Sequence, residues 1–360
     1  FQGLDLSVRG VGLRGAAEAE IDVGNAGTLL RLLPGWLAGI EGGSWTLDGD
    51  ESIRRRPVDR VAEPLRAMGA GAECREGTLP PLRIDGARLQ GIEYRSPVSS
   101  AQVKSCVLLA GLLAEGQTTV IEPSPSRDHT ERMLAAAGAS VEAEPGRVTV
   151  QPAERLRPDG FVVPGDISSA AFALLAAVLV PGSEVELEAV GLNPTRTGLV
   201  TILRRMGAGL EVEERESRGG EPQGTIRAGA SRLESTEVGG EEVPLAIDEL
   251  PLVALAGCFA EGETVIADAG ELRHKESDRI AAVCEGLAAL GGDVEPTDDG
   301  LVVRGTGGLR GGTLVSHGDH RLAMLGAVAG LASREGVTVR DFEAAGVSYP
   351  GFESDLASLR

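Results

Sequence analysis

The feature that most constrains this chain is a phrase recurring roughly every seventy residues, a helix-forming stretch that ends in glycine and runs into a strand-forming one. It reads EPLRAMGAGAE, ERMLAAAGASVE, TILRRMGAGLEVE and EGLAALGGDVE, and its glycines, Gly69, Gly138, Gly207 and Gly291, are 69, 69 and 84 residues apart. A second phrase interleaves with it: a polar cap, an Ala/Leu-rich helix, then a turn and a strand. It reads GNAGTLLRLLPGWLAG, SSAQVKSCVLLAGLLAEG, DISSAAFALLAAVLVPG, DELPLVALAGCFAEG and DHRLAMLGAVAGLAS. The markers Thr28, Ser100, Ser169, Glu249 and His320 give spacings of 72, 69, 80 and 71.

Each period therefore holds two helices. Short Val/Ile/Thr-rich segments such as TTVIEP, RVTVQP and GVTVRDF supply strands between them. The second-phrase helices are apolar almost all round, so they belong inside a domain rather than on its surface. The fold class expected is α/β, built from repeated β-α-β-α-β-β units. A compact arrangement of six such units would need one more at the front, so the first unit is expected to be largely absent. Phe1-Gln2-Gly3 resemble the tail of a protease-cleavage linker and are set apart as residues 1–3. The remainder divides into a first domain at 4–190, incomplete at its start, and a second at 191–360.

The formal charge of -20 argues against nucleic acid or an anionic membrane as the main partner, because each would need a broad basic face. It fits a soluble cytoplasmic protein. The longest apolar run, Ala170 to Val180, is too short to span a bilayer. Cys74, Cys106, Cys258 and Cys284 form no CxxC pair, and read as small thiols in a reducing compartment.

Against that acidity, cations gather beside the helix caps: Arg31, Arg56, Lys104, Arg127, Lys275, Arg279 and Arg321. Lys104 and Lys275 are the only two lysines, and all four histidines lie in or beside the same segments. A helix start carries roughly half a positive charge. Read singly, each is only a good cap. Five in phase, with arginine forks alongside, imply a small substrate carrying more than one anionic group. In HKESDR, helical spacing puts Lys275 and Arg279 on one face, a like-charge pair explained by a shared anion.

Other chemistries find little support. GVGLRG at 10–15 matches GxGxxG, but a second glycine-rich cap follows too soon for a dinucleotide-binding helix. HGDH at 317–320 has no third soft ligand, so no metal is expected. No GxSxG motif or Cys-His pair offers a covalent nucleophile.

GNAGTLLR, GDESIRRRP, SPVSSAQVK, SRDHTERM, PGDISSAAF, IDELP, HKESDR and GDHRLAM, in this order, resemble the enolpyruvyl transferase family, in its branch that uses shikimate 3-phosphate. The resemblance implies the two-domain, inside-out α/β barrel fold of that family. It implies transfer of the enolpyruvyl group from phosphoenolpyruvate to the 5-hydroxyl of shikimate 3-phosphate, without a cofactor. Ser99, Ser100, Gln102, Ser126, Arg127, Asp248 and Lys275 would then face shikimate 3-phosphate. Gly27, Arg56, Gln102, Arg279 and Arg321 would hold phosphoenolpyruvate. Asp248 would be the base toward the hydroxyl and Glu276 the proton carrier at the methylene carbon, with Lys275 a substrate-facing cation next to Glu276. Gly27 would leave room beside phosphoenolpyruvate, so sensitivity to glyphosate is expected.

The family's lysine-bearing LPGSKS-type segment has no counterpart, and Val347 stands where many members carry a cation. A non-catalytic anion-binding fragment is therefore the alternative. The UDP-N-acetylglucosamine branch expects a cysteine before RPVD, where Ser52-Ile53-Arg54 offers none. RNA-end chemistry on a related repeat fold is disfavoured by the charge. A monomer is expected.

Overall fold

The computed structural model describes residues 10–158, 160–215 and 219–359, so the expected linker remnant at 1–3 lies outside the described residues. The chain divides into two compact domains, one running to Phe161 and one beginning at Val162. That boundary falls earlier than the 190/191 expected from the sequence.

The first domain holds two copies of one unit. The first copy is β1 (Ala19–Asp22), α1 (Gly27–Ala38), β2 (Ser44–Asp48), α2 (Asp59–Met68), β3 (Gly71–Arg75) and β4 (Leu79–Asp85). Its strands lie in the order β1-β2-β4-β3, parallel at β1-β2 and antiparallel elsewhere. The second copy is β5 (Glu93–Arg95), α3 (Ala101–Gly111), β6 (Thr118–Ile121), α4 (His129–Ala136), β7 (Val141–Glu144) and β8 (Arg147–Val150), in the same order β5-β6-β8-β7. The β-α-β-α-β-β reading is thus reproduced strand for strand.

The second domain opens with α5 (Ile167–Leu179), β9 (Glu184–Gly191), α6 (Gly198–Arg205), β10 (Leu210–Arg215) and β11 (Gln223–Gly229). A parallel bridge from Gly165 to Val190 takes the place of its first strand. Next come β12 (Glu237–Val238), α7 (Val243–Ala246), α8 (Leu250–Phe259), β13 (Glu263–Ile266), α9 (Arg279–Ala289), β14 (Asp293–Pro296) and β15 (Leu301–Arg304), ordered β12-β13-β15-β14. Last are β16 (Gly312–Val315), α10 (His320–Ala332), β17 (Val337–Arg340) and α11 (Phe352–Ser358), with β16 and β17 parallel.

The four phrase glycines explain the regularity. Gly69, Gly138, Gly207 and Gly291 all sit at positive φ, between 86° and 110°, just past α2, α4, α6 and α9. Only glycine takes that left-handed turn without a Cβ penalty, so the same local rule ends the second helix of each unit. The other helices are the core: α8 is buried at nearly every position, whereas the strands keep exposed faces. Helices therefore lie inside and sheets outside.

Each domain has its own hydrophobic cluster. One spans Val23 to Val150 and the other Ile167 to Phe352. The earlier boundary follows from this, because α5 packs against α8 and α10, and β9 pairs with β11. In the first domain α1 meets α3 at Gly35, where a Cβ would lie 2.0 Å from the Cys106 carbonyl oxygen. Only glycine permits that backbone approach. It also brings the starts of α1 and α3 side by side.

Candidate functional site

In the first domain, that approach assembles a polar cluster at the two helix starts. Gln102 on α3 donates from Nε2 to Thr28 Oγ1 on α1 at 3.1 Å, and accepts at Oε1 from Arg31 Nη1 at 2.9 Å. Asn25 Nδ2 donates to Asp50 Oδ2 at 2.7 Å, which ties the GNAGT turn to the GDESIRRRP loop. Arg56 is thereby set over Gly27: a Cβ there would lie 3.1 Å from Arg56 Nη1 and 3.7 Å from Arg31 Nη1. The space at Gly27 is consequently tighter than the sequence implied. Burial, reinforced by the charges of Arg60 and Arg56, lowers the Arg31 guanidinium below its ordinary value. Like charges crowded in this way favour an anion among them.

Not all five helix starts offer free amides. Ser100 Oγ accepts from Val103 N, Asp166 from the amides of Ser168 and Ser169, and Asp319 from Arg321 N. Of these five, α1 and α8 begin without a capping side chain, and α8 has proline in its first turn. The start of α1, between two arginines, is therefore the best anion-binding end.

The SPVSS and SRDHT segments form a second group. Ser99 Oγ donates to Ser124 O at 2.6 Å, and Ser126 Oγ donates to Glu122 Oε2 at 2.8 Å. Arg127 is half-buried beside Ser126. Lys104, expected among the anion-facing cations, instead lies buried with Glu122 at 3.0 Å and Glu131 at 2.8 Å. The apolar stretch around it hid a buried ion pair.

In the second domain the starts of α5, α8 and α10 meet through side chains. Glu249, just before α8, is 2% exposed and accepts from Ser168 Oγ on α5 and from Arg321 Nη1 on α10, the latter at 3.1 Å. Arg196 Nη2 in turn donates to Ser168 Oγ. Arg321 Nη1 also donates to the Asp248 carbonyl at 3.0 Å. These bonds fix Arg321 beside Asp248, and the sequence reading missed Glu249, Ser168 and Arg196 as its supports. A glutamate inside an otherwise apolar helix phrase was the available signal.

Lys275 and Arg279 do not share a helix. A 3-10 turn at Gly270–His274 ends at Lys275, whose φ of -82° and ψ of -156° are extended, and α9 starts only at Arg279 after the Asp278 cap. Both cations approach one carboxylate: Lys275 Nζ is 3.7 Å and Arg279 Nη1 3.5 Å from Asp248 Oδ1. Lys275 Nζ also donates to Glu271 Oε1 at 2.7 Å. The two cations thus meet at Asp248 without lying on one helix.

Arg279 is 1% exposed. Its Nε donates to Asp319 Oδ2 at 2.8 Å and its Nη2 to Glu276 Oε2 at 2.6 Å, while Nη1 is buried with no hydrogen-bond acceptor. The guanidinium is thus spent on protein carboxylates, Nη1 being ion-paired with Asp248 Oδ1 at 3.5 Å without a hydrogen bond. Burial would raise the Asp319 carboxyl, yet the Arg279 bonds and charge and the Arg321 amide hold it below its ordinary value. Burial lowers the His320 imidazole. Both groups have depressed folded values, so each contributes stability that is whole above its unfolded value and lost as pH falls through the folded one. In urea unfolding, the gap between the protein and Asp319→Asn should shrink as pH drops below about 4.

The sequence-derived residues thus fall into two sets. Gly27, Arg56 and Gln102, with Ser99, Ser100, Ser126 and Arg127 nearby in sequence order, belong to the first domain. Asp248, Lys275, Glu276, Arg279 and Arg321 belong to the second. Val347 is exposed. Among the described residues no group of His, Cys, Asp or Glu could hold a metal ion, and no helix is long and apolar enough to cross a membrane. Cys106, Cys258 and Cys284 are buried and Cys74 half-buried, and burial pushes the Cys106 thiol up to about 12.

The model of the family described as EPSP synthase (3-phosphoshikimate 1-carboxyvinyltransferase) matches residues 5–356. A 3-phosphoshikimate 1-carboxyvinyltransferase of Bacillus licheniformis is 50% identical over 99% of this chain and 84% of its own length. One from Synechococcus sp. strain WH7803 is 50% identical over 99% of this chain and 82% of its own. The structure of EPSP synthase from Acinetobacter baumannii superposes with a TM-score of 0.87 at 44% identity, over 97% of this chain and 81% of that one. The enolpyruvyl transferase NikO from Streptomyces tendae, at 21% identity and a TM-score of 0.73, shares the fold over 91% of this chain and 75% of its own.

Proposed function

The chain belongs to the EPSP synthase family, and from that premise we propose how its own residues divide the work of the reaction. Its activity is that of a 3-phosphoshikimate 1-carboxyvinyltransferase, an enzyme of the shikimate pathway of aromatic amino acid biosynthesis. The enolpyruvyl group of phosphoenolpyruvate moves to the 5-hydroxyl of shikimate 3-phosphate, and phosphate is released.

The observation that carries the residue assignment is Asp248, a carboxylate with two cations at its oxygen and Arg321 on its carbonyl. In the proposed sequence Glu276 delivers a proton to the methylene carbon of phosphoenolpyruvate. Positive charge develops at the neighbouring carbon, and the 5-hydroxyl oxygen adds there as its proton passes to Asp248. The tetrahedral adduct then loses the methyl proton to Glu276 and expels phosphate. General acid-base groups and fixed cations are sufficient for both steps.

Binding follows charge. In the first domain Arg56, Gln102 and the uncapped start of α1 at Gly27 take anionic oxygens of phosphoenolpyruvate. In the second, Arg321 and Arg279 are assigned to do so. Ser99, Ser100, Ser126 and Arg127, together with Asp248 and Lys275, are assigned to shikimate 3-phosphate. The protein acts in the cytoplasm as a monomer, needing neither nucleic acid nor membrane; the acidic charge favours this reading.

Phosphate release measured with both substrates, and with each alone, tests the assignment and separates turnover from simple anion binding. Gly27→Ala adds a methyl 3.1 Å from Arg56 Nη1 and shifts that guanidinium by a few tenths of an ångström. It should raise the KM for phosphoenolpyruvate about tenfold and weaken glyphosate at least as much, with the KM for shikimate 3-phosphate unchanged. An unchanged phosphoenolpyruvate KM would remove Gly27 and Arg56 from that subsite.

A further inference from the structure

Lys104 is one of two lysines in the chain, yet it is buried in the middle of an apolar helix start with two buried carboxylates. Burying three ionisable side chains is costly, and well-packed apolar residues would serve stability at least as well. The arrangement calls for a use other than holding the core together, and its hydrogen bonds show where that use lies.

Glu122 follows β6, and its two oxygens reach the two serine segments. Oε1 accepts from the Ser100 amide at 2.9 Å, and Oε2 accepts from Ser126 Oγ at 2.8 Å as well as from Lys104 Nζ at 3.0 Å. Lys104 Nζ also donates to the Ser126 carbonyl at 3.4 Å and to Glu131 Oε1 at 2.8 Å on α4. Ser105 and Thr130 add a hydroxyl link of 2.6 Å between α3 and α4. Both segments that carry the assigned shikimate 3-phosphate contacts therefore hang on one carboxylate.

We propose that Glu122, held by Lys104, is the positioning residue of the shikimate 3-phosphate subsite. It fixes Ser100 and Ser126 at one separation and so aims Arg127 and the Ser100 hydroxyl at the phosphate. The inference rests on the assignment of Ser100, Ser126 and Arg127 to that substrate. Ser126 spends its hydroxyl proton on Glu122, so it serves here as an anchor. Ser100, whose oxygen accepts from Val103 N, keeps its proton for a ligand. Lys104 supplies the charge that allows Glu122 to be buried at all. Burial pushes the Glu131 carboxyl up against the pull of Lys104.

The test uses the enzyme with Glu122→Gln, which keeps the side-chain shape but removes the charge that pairs with Lys104 and cannot accept from the Ser100 amide while its one oxygen accepts from Ser126 and Lys104. Shikimate 3-phosphate binding by calorimetry should weaken about tenfold, while kcat and the KM for phosphoenolpyruvate stay within about twofold. Ser126→Ala, a change too small to prevent folding, should weaken the same substrate several-fold, and combined with Glu122→Gln should add nothing further. Lys104→Arg, which keeps a cation beside Glu122, should leave binding near normal. Equal losses for both substrates, or additive losses in the double variant, would overturn the inference. Arg127→Ala separates the two levels: if it leaves shikimate 3-phosphate affinity unchanged, the assignment of the subsite fails rather than its positioning.

Discussion

Asp248→Asn should lower phosphate release by about a thousandfold, the loss expected when a general base is removed from a reacting hydroxyl. The substitution keeps the side-chain shape, and Arg321 grips the main-chain carbonyl of Asp248 rather than its carboxylate. The start of α8 should therefore hold, with thermal unfolding shifted by no more than a few degrees. The effect should fall on kcat, with the KM for either substrate changed by a smaller factor. A fall of less than tenfold in kcat at unchanged KM would show that the hydroxyl proton leaves by another route. Glu276→Gln offers the matching measurement for the first proton transfer.

The second large effect is on stability. Arg279→Met should destabilise the second domain by about 3–5 kcal/mol, because Asp319, fully buried, would lose the cation that pairs with it. For a domain of this size that corresponds to a fall in Tm of roughly 10 °C. Adding Asp319→Asn should recover part of the loss by removing the stranded charge, although the amide caps α10 less well. Arg279→Lys keeps a charge but cannot span Asp319 and Glu276 together, since an ammonium lacks the planar fork. It should fold and yet turn over slowly. An Arg279→Met protein as stable as its parent would mean that the buried ion pair adds nothing to the fold.

These two outcomes concern residues that the sequence singled out, but for reasons the tertiary structure revised. Arg279 stood out as a cation in a motif, and the fold shows it as a buried keystone paired with Asp248, Glu276 and Asp319. Lys275 stood out as half of a helical like-charge pair, and the fold breaks the helix between the two and turns both toward Asp248. Lys104 stood out with them, and the fold buries it between Glu122 and Glu131. A spacing of four residues says nothing about a backbone that leaves the helix.

Sequence alone determined what depends on a few neighbouring residues: the seventy-residue period, the glycine that ends each second helix, the caps, and the apolar helices that must lie inside. Packing alone decided which helix starts meet and which side chains answer one another across them. Gly35 against Cys106 sets Arg31 beside Gln102, and the junction of α5, α8 and α10 places Ser168, Glu249 and Arg321 in one bonded chain. Backbone preference acts locally, whereas the energy of a buried charge depends on partners brought from distant positions in the chain, and only the folded arrangement supplies them.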